Sequence, residues 1–416
     1  MGNSLLTPSM ITRYAIKLFL NTNYFIQNIS RQYDNQFGEE GAKIGAQLRI
    51  RLPNDYTVTD GPGIALQDTS EQQVVLTVAT QRHVDVAFTT AERTLSLDDY
   101  AERIMLPRVN VLTGNVAQTI MLGSEGGVCN ATANVDANNN ILAVTETPFV
   151  IGGAVLDDNS APMMPGRKVV NDPHTDAKTM VALRGLLNPV TEISAQFRSG
   201  GMRNGLGFEK WFRDQTVIKH TTGSLVNGTV NGAGQTGTLL NVNALGGTIN
   251  QGDVFSIAGV FAVNRVTKAS TGQLRQFVAT ANVAANATQI PIYPALIPPA
   301  SAVPYASLPY TPQQYQTVTA SPANNATITP FANASVTYRK SIAYAPDAIT
   351  MVVAPLWMPP GGRGVIEATR HTMDNVSMRS LVCYEPGTDQ PVDRLDVLFG
   401  YYYVRPEWAN QVCDSL

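Results

Sequence analysis

Lysine is missing from residues 44 to 167, and charge of either sign is nearly missing from residues 221 to 338. Between Thr221 and Tyr338, 118 residues carry only Asp253, Arg265, Lys268 and Arg275, while the other 298 residues carry 57 charged side chains. Cysteine is scarce. Cys129, Cys383 and Cys413 are odd in number and far apart, which excludes a disulfide framework and zinc-ligand spacing and predicts buried thiols in a reducing cytosol. No uncharged apolar run approaches the ~18 residues that a membrane-spanning helix needs. Leu18-Phe19-Leu20 beside Lys17 is too short for the apolar segment of a secretion signal. A net charge of -3 and a pI near 5.9 argue against a protein whose task is to grip nucleic-acid phosphates. Phosphate-binding loops, a nucleophile elbow, paired-histidine zinc motifs and calcium loops are absent too. No catalytic, cofactor-binding or metal residue is therefore expected.

What is present is a chain of 416 residues with 44% apolar side chains, enough for roughly three domains with substantial cores. The charge-poor stretch is rich in Gly, Asn, Thr and Val, and runs such as Val254-Phe255-Ser256-Ile257 and Gln276-Phe277-Val278 predict strands joined by tight turns. Ordinary composition on both sides makes it a β-domain inserted into a host whose two halves fold together. Its paucity of charge suggests a protein that touches copies of itself.

Along the host, Thr7-Pro8 reads as a cap and first helical residue, with Ile11, Ala15, Leu18, Phe19 and Thr22 on one face. Arg13, Lys17 and Arg31 precede any acidic residue, so this arm suits either a neighbouring subunit or an anionic surface. Leu48, Ile50 and Leu52, then Asp60-Gly61-Pro62-Gly63, then Val74, Leu76 and Val78 predict a long hairpin loop that needs support from outside the subunit. After a strand through Val84, Val86 and Phe88, Ser96-Leu97-Asp98-Asp99 caps a long helix carrying Met105, Val109, Leu112, Val116 and Ile120, which Pro107 interrupts or restarts. A second helix starts at Asp172-Pro173. There Asp172, His174 and Asp176 are the nearest approach to a metal cluster, although the first turn of a helix favours such carboxylates anyway. The prolines between Pro291 and Pro330 exclude central strands. Strands are expected again at Ile349 to Ala354, Leu381 to Tyr384 and Leu395 to Val404, around a rigid loop at Pro359-Pro360-Gly361-Gly362.

This order of arm, extended loop, spine helix, mixed domain, inserted β-domain and closing strands resembles the major capsid proteins of tailed double-stranded DNA bacteriophages, in the short-tailed branch with an inserted β-domain. Gly252-Asp253-Val254-Phe255-Ser256-Ile257-Ala258-Gly259-Val260, Asp347-Ala348-Ile349 with Pro355, and Gly400-Tyr401-Tyr402-Tyr403-Val404-Arg405-Pro406-Glu407 carry the likeness. The resemblance implies an α+β, Hong Kong-type phage capsid fold. It divides into an N-terminal arm (1–34), a peripheral domain (35–51, 78–127 and 368–416), an extended hairpin loop (52–77), an axial domain (128–222 and 345–367) and an inserted β-domain (223–344). It also implies subunit-interface roles for Asp60, Gly61, Pro62, Gly63, Trp357, Arg363, Arg405 and Glu407. The implied partners are the protein itself, in hexamers and pentamers of an icosahedral shell, a scaffolding protein, a portal, and double-stranded DNA enclosed without sequence-specific binding. The implied location is a virion assembled in the bacterial cytoplasm, with no membrane and no cofactor. A β-rich tail or cell-surface adhesin is the alternative, and it should show tandem repeats or a secretion signal. Some relatives lock the shell through a lysine in the extended loop, and here that loop has none.

Overall fold

The computed structural model describes residues 8–31, 46–52, 54–64, 73–87, 101–163, 166–183, 204–299, 314–360, 364–385 and 390–416. The expected caps at Thr7 and at Ser96 with Asp98 and Asp99, and the expected interface residue Arg363, lie outside these residues. Ahead of the charge-poor segment come β1 (Ala46–Arg51), β2 (Gln73–Val78), β3 (Thr80–Ala87), β4 (Asn130–Ala133), β5 (Lys168–Asn171), β6 (Lys210–Arg213) and β7 (Lys219–Thr221). Within it lie β8 (Gly228–Thr229), β9 (Gly237–Asn241), β10 (Val254–Val263), β11 (Ser270–Ala279), β12 (Gln289–Leu296) and β13 (Thr327–Pro330). Then follow β14 (Thr337–Tyr344), β15 (Ile349–Ala354), β16 (Val365–Met373), β17 (Val376–Glu385), β18 (Gln390–Tyr403) and β19 (Ala409–Ser415). Contacts divide the chain into two compact units, one of Met1–Ile50, Gln73–Ile120 and Ile349–Tyr402, the other of Arg51–Gln72, Met121–Ala348 and Tyr403–Leu416.

In the first unit, α1 (Pro8–Thr22) buries Thr12, Ala15, Ile16, Phe19 and Leu20, a stripe at three- and four-residue steps. The stripe is rotated from the expected one, because Leu18 is only half-buried and Thr22 is exposed. The helix packs on β16 and β17 of its own unit, with Thr12 and Thr369 hydroxyls 2.6 Å apart, so the apolar face of the arm is used at home. Asn23 caps α2 (Tyr24–Asn28), its Oδ1 accepting from the Ile26 amide at 3.1 Å. The spine helix α3 (Leu106–Leu122) follows a π-turn, and it buries Val109, Leu112, Val116 and Ile120 as their spacing predicts. Pro107 falls in its first turn, where the missing N–H costs nothing. The sheet runs β15-β18-β17-β16, and β3 also pairs with β18. Gly400 sits where β18 crosses close to the end of β2: a Cβ there would fall 2.4 Å from the Thr77 carbonyl oxygen.

In the second unit the host sheet runs β4-β19-β14-β5-β6, with β7 also on β14, and it is packed with α4 (Ser124–Gly127), α5 (Thr147–Asp158) and α6 (Pro173–Ala182). Phe149, Leu156, Val169, Phe208, Trp211 and Val412 form its core, the Phe149 and Trp211 rings 4.7 Å apart. The insert leaves and returns on neighbouring strands: β7 pairs with β14 at Thr221↔Thr337 and His220↔Tyr338. Its own sheet runs β8-β13-β10-β11-β12-β9. The Val230↔Val242 bridge, with Asn231 N–H donating to Asn241 O at 3.0 Å and Asn243 N–H to Thr229 O at 2.9 Å, joins the two ends and closes a barrel. Closure removes the open edges that attract other strands. Val230, Leu240, Phe255, Ile257, Phe277, Ile290 and Ile328 pack a large apolar core inside the barrel, which accounts for a module that needs almost no charge.

One sequence expectation fails. The prolines do not exclude strands: Pro291 and Pro294 lie in β12, paired on both sides, where the ladder with β9 shifts register between Pro291 and Leu296. A register shift is where a missing N–H is tolerated. Asp172 and Asp176 are engaged at the helix start, as expected there. Asp172 caps α6 by accepting from the His174 amide at 2.9 Å, and the buried Asp176 faces Arg213 Nε at 3.1 Å.

Candidate assembly surfaces and the insert joint

Asp60, Gly61, Pro62 and Gly63 are all exposed, and Gly61 has φ +100°, a left-handed turn that suits glycine. Val58 and Ile64 flank them at 96% and 92% exposure. An apolar pair this bare gains nothing from its own chain. Trp357 is likewise exposed, at 71%. These are the residues of the expected interface set that stand on the surface.

Arg405 and Glu407 do not stand with them. Arg405 is buried, with its guanidinium carbon 4.5 Å over the Trp408 ring. Glu407 accepts from Arg265 Nη1 at 2.6 Å and from the Tyr293 hydroxyl at 3.2 Å. Both residues are engaged within the second unit, where Glu407 holds the insert to its host.

That joint was missed by sequence reasoning, although the charge census pointed to it. Arg265, at the far end of β10, also donates from Nε to Asp55 Oδ2 at 2.8 Å, tying the base of the extended loop to the barrel. The loop is thus supported from within the chain at its base, while its tip is bare. Burial works against the Arg265 charge, but Glu407 and Asp55 more than offset this and hold the guanidinium above its ordinary range. Burial, reinforced by Glu407, pushes the Tyr293 phenol well up.

Two further contacts complete the joint. Gln276 of β11 acts as a strand partner for β4, accepting from the Ala131 amide at 2.8 Å and donating to its carbonyl at 2.9 Å. At the root of the barrel, Asp253 Oδ2 accepts from the Gly223 and Asn250 amides at 2.9 and 2.8 Å, while Oδ1 lies 2.8 Å from His220 Nε2. Lys340 of β14, fully buried, donates to the Gly252 carbonyl at 3.1 Å. Burial pushes this ammonium below the usual lysine range, and Cys413, Glu125 and Asp253 pull it back in part. Three of the four charged residues between Thr221 and Tyr338, namely Asp253, Arg265 and Arg275, therefore bond to the host or the loop; Arg275 donates to Asn159 Oδ1 at 3.3 Å. The sparse charge is concentrated where the module is fastened. No group of three metal-binding side chains occurs among the described residues.

Residues 237–412, rather less than half of the chain, match the family described as P22 coat protein, gene protein 5. Over that stretch the chain is similar to coat proteins of the P22 kind. Its role is that of a major capsid protein, a structural one, and the adhesin reading is left without support. No curated protein matches the sequence. Solved structures resemble it distantly. One of Mycobacterium phage Che8 is 11% identical, covering 93% of this chain and 90% of that one at a TM-score of 0.42. The capsid of Ralstonia phage GP4 is 10% identical, covering 93% and 87% at 0.41. The CUS-3 coat protein I-domain is 24% identical over 25% of this chain and 94% of its own, at 0.18. Likenesses this distant carry no assignment, which rests on the family match. The α+β architecture agrees with the Hong Kong-type capsid fold that the resemblance implies.

Proposed function

We propose that copies of this chain associate into hexamers and pentamers and close an icosahedral shell that encloses double-stranded DNA, initially around a scaffolding protein and with a portal at one vertex, in the cytoplasm of a bacterial host. The family match over residues 237–412 carries the reading. The division into arm, peripheral domain, extended loop, axial domain and insert is the map on which it is drawn, in the manner of short-tailed phages. Near-neutral charge suits a wall that encloses DNA without gripping it. Many repeated weak contacts give such a shell a stability that no single contact supplies.

The extended loop is the part that waits for a neighbour. With Val58, Ile64 and the Asp60-Gly61-Pro62-Gly63 tip bare in the single chain, burial comes only on assembly. Deleting Thr59 to Ile64 and closing the gap with Asn-Gly should leave monomer stability nearly unchanged and sharply reduce shell yield. Normal shells from this variant, or a monomer weakened by several kcal/mol as core losses are, would remove the loop from the account.

A further inference from the structure

His220 stands between two carboxylates that approach opposite ring nitrogens. Nδ1 lies 3.0 Å from Glu125 Oε1 and Nε2 lies 2.8 Å from Asp253 Oδ1, with the ring 3% exposed. An ionised carboxylate only accepts, and a neutral imidazole donates from one nitrogen alone. Both bonds therefore coexist only if the three groups together hold one proton more than a neutral ring between two carboxylates.

We propose that this extra proton is a latch that fastens the insert to its host. The three groups come from three places: Glu125 from α4, His220 from β7, and Asp253 from the turn that leads into β10 of the barrel. Around them, Lys340 on β14 donates to Gly252, the Tyr338 ring on β14 lies 5.5 Å from the His220 ring, and Cys413 on β19 pairs opposite Lys340. With the extra proton, two carboxylates meet two cations. Without it they meet Lys340 alone, and one carboxylate oxygen faces an imidazole lone pair that water cannot reach.

Which bond yields follows from the anchoring. Asp253 is held by two backbone amides through its other oxygen, whereas Glu125 is the more exposed carboxylate, at 22% against 12%. Loss of the proton therefore releases Glu125, and α4 parts from the turn at Gly252, whose Cβ position is only 3.0 Å from Glu125 Cβ. Raising pH loosens the joint, because the closed form binds the additional proton.

The test uses the full chain labelled with 15N histidine, the His220 signal being assigned from His220→Gln. Near pH 6 both ring nitrogens should report a proton on the latch. As pH rises and it is released, exchange at the Val128 amide, which closes α4 by donating to the Ser124 carbonyl at 3.0 Å, should accelerate by about tenfold per pH unit beyond that in Glu125→Gln. In that variant the introduced carboxamide can donate to a neutral ring, so no extra proton is needed and the excess acceleration should vanish. A neutral ring at pH 6 in the unaltered chain, with one unprotonated nitrogen facing an ionised carboxylate, or the same pH dependence in both proteins, would overturn the latch. The spectrum of the unaltered chain decides the matter even if the variant folds poorly.

Discussion

Arg265 and Asp55, 210 positions apart in sequence, meet at 2.8 Å and join the barrel to the base of the extended loop. The same guanidinium reaches Glu407 at 2.6 Å, so one side chain fastens three segments. Arg265→Met would strand two partly buried carboxylates at once. It should cost about 2 kcal/mol, less than a fully buried pair would, because the site is partly solvated. Asp55→Asn leaves the Glu407 contact intact and should cost clearly less. Urea unfolding of the two variants checks the order, and equal losses would deny Arg265 its joining role.

The insert should fold alone. Residues 221–338 contain a closed barrel and its apolar core, and their ends meet at the Thr221↔Thr337 pair. Expressed separately they should give a cooperative thermal transition and a β-type circular dichroism spectrum. Within that domain Phe277→Ala, at a fully buried position whose ring lies 6.1 Å from that of Phe255, should cost about 3–5 kcal/mol. A disordered chain, or a Phe277→Ala loss under about 1 kcal/mol, speaks against an independent core.

The β10–β11 pairing was legible because alternating apolar residues mark it, and Phe255 does pair with Phe277. The spine helix was legible from its periodicity. β19 was not, since its buried residues include Asn410, Gln411 and Asp414. Each bonds to partners remote in sequence: Gln411 Nε2 donates to the Val128 carbonyl at 2.8 Å, Asn410 Nδ2 donates to the Thr132 hydroxyl at 2.8 Å, and Asp414 accepts from the Val144 amide at 2.9 Å and Lys178 at 3.0 Å. Such polarity reads locally as a loop. β16 was missed for the opposite reason, an edge strand whose side chains are largely exposed or half-buried. Of the expected interface residues, the loop tip and Trp357 stand on the surface, whereas Arg405 and Glu407, chosen by resemblance, turned out to be internal.

Thiol reactivity should sort the three cysteines by burial. Cys129 and Cys413 are buried and Cys383 is partly exposed. Burial is the main cause that pushes the Cys413 thiol up, from 9.0 to about 12, and it raises Cys129 as well. At pH 8 the native chain should give one fast-reacting thiol and the unfolded chain three. Because the folded pKa lies above the unfolded one, Cys413 contributes stability that is complete below pH 9 and lost as pH rises toward 12. Rapid alkylation of Cys413 in the native chain would show its burial to be wrong.

Shells should hold together without covalent links through the extended loop, which has no lysine. Particles boiled in detergent should run as one band near 44.8 kDa. A ladder of multiples would reveal a different bond.

Electron microscopy of the purified full chain, alone and mixed with scaffolding protein, tests the central claim most directly. Closed shells built of hexameric and pentameric clusters are the predicted result. Dispersed single subunits under both conditions, from a protein that is folded by circular dichroism, would contradict it.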